Sequence, residues 1–258
     1  MHVQIERMKP RELNAARDRF PVAYVPFGAI EFHGNHLPVG LDTLKCHRML
    51  CRFAEQLGGL VAPPLFLGHG GGHLDFEWTW MADPDTLLKI LLTTIFGLER
   101  NGFLVIVVMS GHYPNDKLFP ELQSAYAEQG GKARLITLME YDPFRAADEA
   151  HGDHASKWET SYMLALEAEL VDLDRVRYSS DGRPLADFPK PAPNASGSWW
   201  FEKDPQHPWF GIAAAAGNAP VDATQAAGEA AIQRVLDWSK AKIDAALAEA
   251  GWTVDARR

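Results

Sequence analysis

The run FLVIVVMS at residues 103–110 leaves this chain few ways to fold. A strand that is apolar on both faces needs cover on both faces, so the run predicts a central strand of a buried parallel sheet. Its neighbours agree. DPDTLLKILLTTIFGLERNG, with Asp83 and Pro84 at its start and Asn101-Gly102 at its end, reads as a preceding helix. ARLITLM reads as a further strand, and DKLFPELQSAYAEQGG between them as a helix that Pro120 confines or kinks. Towards the N-terminus, KPRELNAARDRF suits a helix with Pro10 in its first turn. PVAYVPFGAIEF reads as a strand continuing to Phe32, and LVAPPLFLG as a short one. Between those two, DTLKCHRMLCRFAEQLGG places Leu44, Met49, Leu50 and Phe53 at helical spacing and stops at Gly58-Gly59. Strands alternating with helices in this way predict an α/β fold whose mostly parallel sheet is covered on both faces.

Two later stretches stand apart. RPLADFPKPAPNASGSWWFEKDPQHPWFG, rich in Pro, Trp and Phe, should be irregular; its Trp199, Trp200, Phe201, Trp209 and Phe210 are expected to pack in a core or a subunit interface, with a lid or a sugar-stacking surface as the alternative. DATQAAGEAAIQRVLDWSKAKIDAALAEAG predicts a long C-terminal helix capped by Asp222.

The formal net charge of −9 argues against generic binding to nucleic acid or to an anionic membrane, both of which would repel such a surface. The charged opening MHVQIERMKPRELNAARDRF has no apolar signal core, and no run is long enough to cross a membrane. A cytoplasmic protein is expected, with Cys46 and Cys51 as thiols in a reducing compartment.

The chemistry-bearing residues gather at expected strand ends. GAIEFHGNHLPVGLD carries Glu31 and His33, which an extended strand would point to one side, and Asp42 beyond a turn. His112 follows the buried run directly, where ligand sites lie in open parallel sheets. HGDHASKWETS adds His151, Asp153, His154 and Glu159. A lone histidine is most often an ordinary loop residue, but carboxylates and histidines recurring at several strand ends make the mixture that divalent metals favour. The string GHGGGH at residues 68–73 looks like an oxyanion-hole loop, yet no G-x-S-x-G accompanies it, so it is expected to be a loop near a pocket mouth.

VPFGAIEFHGNHLPVGLDT resembles the first signature of the creatininase (creatinine amidohydrolase) family, and VMSGHYPND, HASKWETS and GNAPVDATQAAGE resemble its later ones in the same order. The resemblance implies a three-layer α/β/α architecture with a mostly parallel central sheet, in a single domain over residues 1–258. It also implies two divalent ions per subunit (zinc, manganese or iron) and a homo-oligomer, often a hexamer. Matched by motif, Glu31, Asp42 and His112 would hold one ion, and His33 with bridging Asp42 the other. The glutamate that completes the second site in creatininase is Pro114 here, so Glu159 is the expected substitute. Asp153 and His154 fall on the family's catalytic acid–base pair, and His73 and Tyr141 on positions that line the substrate pocket. Ala150 and the stretch HLDFEWTW depart from the pattern and imply a rebuilt pocket, in which Asp75 and Glu77 could meet a substrate amine or simply face water. The expected activity is hydrolysis of a non-peptide C–N bond, in a cyclic amide or formamide-like group, by a metal-activated water. The alternatives are a lactonase or other ester-type hydrolase on the same centre, taking a small-molecule lactone instead of an amide, and a catalytically idle metal-binding scaffold.

Overall fold

The computed structural model describes residues 2–149, 151–190, 203–214 and 217–252. Trp199, Trp200, Phe201 and Ala150 lie outside the described residues. The elements run α1 (Pro10–Arg19), β1 (Val22–Phe27), α2 (Leu41–Leu57), β2 (Leu60–Val61), α3 (Pro84–Arg100), β3 (Val105–Ser110), α4 (Phe119–Glu128), β4 (Arg134–Met139), α5 (Asp142–Arg145), α6 (Lys157–Leu166) and α7 (Gln225–Glu249). Four strands pair in the order β2-β1-β3-β4, every pair parallel.

The apolar run at 103–110 accounts for the layering. Val105, Val107 and Met109 face one core, with Val22 and Tyr24 of β1 and residues of α2, α6 and α7. Ile106 and Val108 face the other, with Ala23, Val25 and Phe27 and residues of α1, α3 and α4. Alternate side chains along one strand therefore serve opposite cores, which is what a three-layer α/β/α sandwich requires. Burying a side chain the size of Phe53 or Leu91 is worth about 1.5–3 kcal/mol, and both cores are built of such residues.

Three expectations need correction. β1 ends at Phe27 rather than Phe32; beyond it only Ile30 pairs, antiparallel, with Trp80. β2 spans only Leu60–Val61, because Pro63 and Pro64 have no N–H to offer a ladder. The last helix is capped by Thr224, whose side chain accepts from the Ala227 N–H, while Asp222 lies in a separate short 3-10 turn. Pro120 sits in the first turn of α4, where its missing N–H costs nothing, so the helix is confined and not kinked. Trp209 packs in a small apolar cluster and donates Nε1–H to the Val176 carbonyl at 3.0 Å, as core packing predicts. Asp75 and Glu77 are exposed.

Candidate metal centre

Backbone approach shapes the site before any side chain does. A Cβ on Gly111 would lie 2.0 Å from the Asp42 carbonyl oxygen, and one on Gly28 would lie 2.5 Å from the Thr43 amide. Only glycine at the ends of β1 and β3 lets the first turn of α2 press against both strands. Asp42, in that first turn, is thereby delivered to the C-terminal edge of the sheet, and the helix N-terminus favours its negative charge. Asn115 fastens the surrounding loops: it accepts from the His69 amide at 2.8 Å and donates to Ser110 Oγ at 3.0 Å.

Glu31, His33, His73, Asp42, His112 and Glu159 are all buried at this edge. His112 Nδ1 lies 3.0 Å from both Glu31 Oε2 and Asp42 Oδ2. The other oxygen of Asp42, Oδ1, lies 3.2 Å from His33 Nε2, which is 3.5 Å from Glu159 Oε2. One carboxylate thus turns its two oxygens towards two different histidines.

The histidines share a second feature. His33 Nδ1–H donates to the Glu31 carbonyl at 2.9 Å, His112 Nε2–H to Gly70 at 3.2 Å, His73 Nε2–H to Gly211 at 3.1 Å and His154 Nε2–H to Phe32 at 2.8 Å. A carbonyl can only accept, so each bond fixes a tautomer and turns the remaining nitrogen inward, as metal-binding histidines are commonly held. Glu31 and His33 are turned inward by these local bonds and not, as a period-two strand would have it, by the pleat.

The donor set fits divalent ions. His33 Nε2 is buried and makes no hydrogen bond among the described residues, an arrangement that is costly unless something else occupies its lone pair. Ligand bonds of about 2.1 Å place neighbouring donors about 3.0–3.4 Å apart, the spacing found around Asp42. Two sets of donors, Glu31-Asp42-His112 and His33-His154-Glu159, each lie within 4.8 Å of one another, and so do Glu31, His73 and His154.

Charge follows from this crowding. Burial would raise the carboxylates, but the imidazole of His112 holds Glu31, and those of His33 and His112 hold Asp42, well below the usual range. Burial would lower the imidazoles, yet Asp42 and Glu159 push His33 up to about 9, and Asp42 and Glu31 push His112 up to about 10. Without cations the site would hold protons in their place. His154 is different: burial and then the neighbouring His33 keep it well below its ordinary value, so it is neutral.

His154 stacks on His73, ring centroids 3.7 Å apart, and on His33 at 4.3 Å. Its expected partner does not brace it. Asp153 instead accepts the amides of Trp158 at 2.8 Å and Glu159 at 3.2 Å, tying down the start of α6. Burial, followed by the charge of Glu159, raises the Asp153 carboxyl to about 8. The orientation of His154 comes from the Phe32 carbonyl, a contact that residue spacing does not reveal.

A cavity of about 790 Å³ opens onto these groups, walled in part by Gly71, Gly72, Tyr113, Pro114, Tyr141 and Arg145. The glycine loop and Tyr141 are where the sequence placed them. Tyr141 donates its hydroxyl to Asp116 at 2.7 Å and carries the Arg145 guanidinium over its ring at 4.9 Å. Two residues of the site had no sequence signal. Lys45 and Glu140 lie behind Glu159, fully buried and 2.5 Å apart.

The sequence model of the family described as "Creatininase: Creatinine amidohydrolase" matches residues 6–243. A creatinine amidohydrolase of Pseudomonas putida is 34% identical over 192 residues, spanning 65% of this chain and 71% of its own length. A mycofactocin precursor peptide peptidase of Mycobacterium ulcerans is 29% identical over 180 residues, spanning 66% of this chain and 67% of its own. A crystal structure of creatinine amidohydrolase superposes with a TM-score of 0.71 at 28% identity, covering 98% of this chain and 99% of that one. The structure named "Creatininase Mn" superposes at 0.70 and 26%, covering 96% and 99%.

Proposed function

The chain belongs to the creatininase family, and from that premise we propose that it is a metal-dependent amidohydrolase cleaving a non-peptide C–N bond with activated water. The observation that carries this reading is Asp42, whose two oxygens face His33 and His112 separately at 3.2 and 3.0 Å. Glu31, Asp42 and His112 would hold one divalent ion; His33, Glu159 and the second oxygen of Asp42 would hold the other. Zinc, manganese or iron suits such oxygen and imidazole donors.

When bound, the ions would lower the pKa of water from about 16 towards about 7 and draw charge from the scissile carbonyl. The chain's own residues supply the rest. His154 is neutral, and its Nε2–H is committed to the Phe32 carbonyl. Nδ1 can therefore take a proton from the attacking water and hand it to the departing nitrogen. Asp153 acts one step back, by fixing the start of the helix that carries Glu159. His73, stacked on His154, and Tyr141 on the cavity wall would contact the substrate. A homo-oligomeric assembly, as a hexamer, and a cytoplasmic setting belong to the same proposal; among the described residues no helix is long and apolar enough to cross a membrane.

The substrate is a cyclic amide or formamide-like group. Two features favour one carried on a larger molecule: the relatives include mycofactocin precursor peptide peptidases, and a cavity of about 790 Å³ exceeds what a single small ring fills. Metal-loaded protein should be assayed against cyclic amides, N-formyl amines, lactones and short peptides. Amine release from the amides supports the reading. Turnover confined to lactones would make this an ester-type hydrolase, and no turnover with fewer than two ions bound would leave an idle metal-binding scaffold.

A further inference from the structure

We propose that Lys45 is a positioning residue of the second metal site, holding Glu159 so that a single oxygen faces the ion; this rests on the two-ion reading above. Lys45 lies in α2 three residues beyond Asp42, and its side chain is fully buried. Its Nζ is 2.9 Å from Glu159 Oε1 and 2.5 Å from Glu140 Oε1, with the rings of Tyr113 and Tyr162 at 5.1 and 5.8 Å. Glu140, at the end of β4, also accepts the Tyr113 hydroxyl at 2.9 Å. A buried ammonium is a poor way to stabilise a helix, since an apolar side chain of similar volume avoids its desolvation. The position calls for another explanation.

Glu159 provides it, because its two oxygens are used differently. Oε1 is bound by Lys45, whereas Oε2 accepts the Ala155 amide at 2.7 Å and faces His33 Nε2 at 3.5 Å. Lys45 withdraws one oxygen from the metal and aims the other. Glu140 completes the logic of charge. Alone with Glu159, the ammonium would cancel the negative charge that a cation needs; Glu140, in contact with the same ammonium, takes up part of that charge. Lys45 also shares α2 with Asp42, so it locks two proposed ligands of one ion at a fixed separation across two helices. Lys45 with Glu140 is the apparatus that makes Glu159 serve as a ligand through one oxygen.

The test is a chelator-competition titration that resolves two dissociation constants per protomer. Lys45→Met should weaken one site about 10- to 100-fold, the usual loss for an outer partner of a metal ligand, and leave the other unchanged. Should that variant fail to fold because its carboxylates are stranded, Lys45→Met/Glu140→Gln removes both charges and must give the same result. Lys45→Met/Glu159→Gln should be no worse than Glu159→Gln alone, since Lys45 acts only through Glu159. Folded variants with both constants at parental values, equal weakening of both sites, or additive losses would each overturn the inference. A parent that binds fewer than two ions overturns the two-ion reading as well; a two-ion parent with unaffected variants overturns this inference only.

Discussion

His112, just past the end of β3, lies 3.0 Å from both Glu31, in the loop beyond β1, and Asp42, in the first turn of α2, whereas His33 and Glu159 come together from that loop and a distant helix and approach only to 3.5 Å. The first half of the centre inherits its geometry from the sheet: β1 and β3 pair along their whole length, and glycines at their ends admit α2. The second half is assembled by side chains, through the Ala155 amide, Lys45 and Glu140. A ligand set fixed by backbone is hard to alter one residue at a time. One fixed by side chains can be rebuilt.

Asp42→Ala should break the comparison outright, because Asp42 belongs to both halves. Both ions should be lost, and turnover with them; a variant that keeps two ions would show that Asp42 does not bridge. His154→Ala should spare both halves and cut turnover about 10²- to 10⁴-fold, the range for a lost proton-transfer group. Metal loss in that variant would make His154 a ligand, a role its place among the His33 and Glu159 donors permits. Glu159→Gln should separate the halves, weakening one ion while Glu31, Asp42 and His112 retain the other. A lower melting temperature with both ions still bound would reduce Glu159 to a brace for α6.

The smallest effect concerns pH. In metal-free protein His33 and His112 are raised to about 9 and 10 by the carboxylates around them. Raised imidazole values contribute stability that is full below the unfolded value of about 6.5 and lost as pH climbs through 9 and 10. Metal-free protein should therefore melt at a falling temperature between about pH 7 and pH 10, while metal affinity rises as the competing protons leave. A flat melting profile would mean that the histidines do not hold those protons.

The layering and most of the site were legible because they depend on local pattern. The apolar run at 103–110 can only be a doubly covered strand, and it places His112 at the sheet edge. Asp42 and Glu159 could be named from family motifs. What stayed hidden depends on distance in space. Nothing near Lys45 distinguishes it from a solvated lysine, since Glu140 and Glu159 reach it only once α2, β4 and α6 have packed. The Phe32 carbonyl that holds His154 is a backbone atom and carries no side-chain signature. Asp153, expected as the partner of His154, was claimed by the amides at the start of α6, a competition that adjacency in sequence conceals. The misplaced cap at Asp222 has a similar origin: Thr224 also fits, and only the path of the preceding turn decides between them.

Anomalous diffraction from crystals grown with manganese would test the bridged centre most directly. The account predicts two peaks in each protomer, one among Glu31, Asp42 and His112 and one between His33 and Glu159, each in contact with a different oxygen of Asp42. A single peak, or two peaks of which one does not touch Asp42, would contradict it.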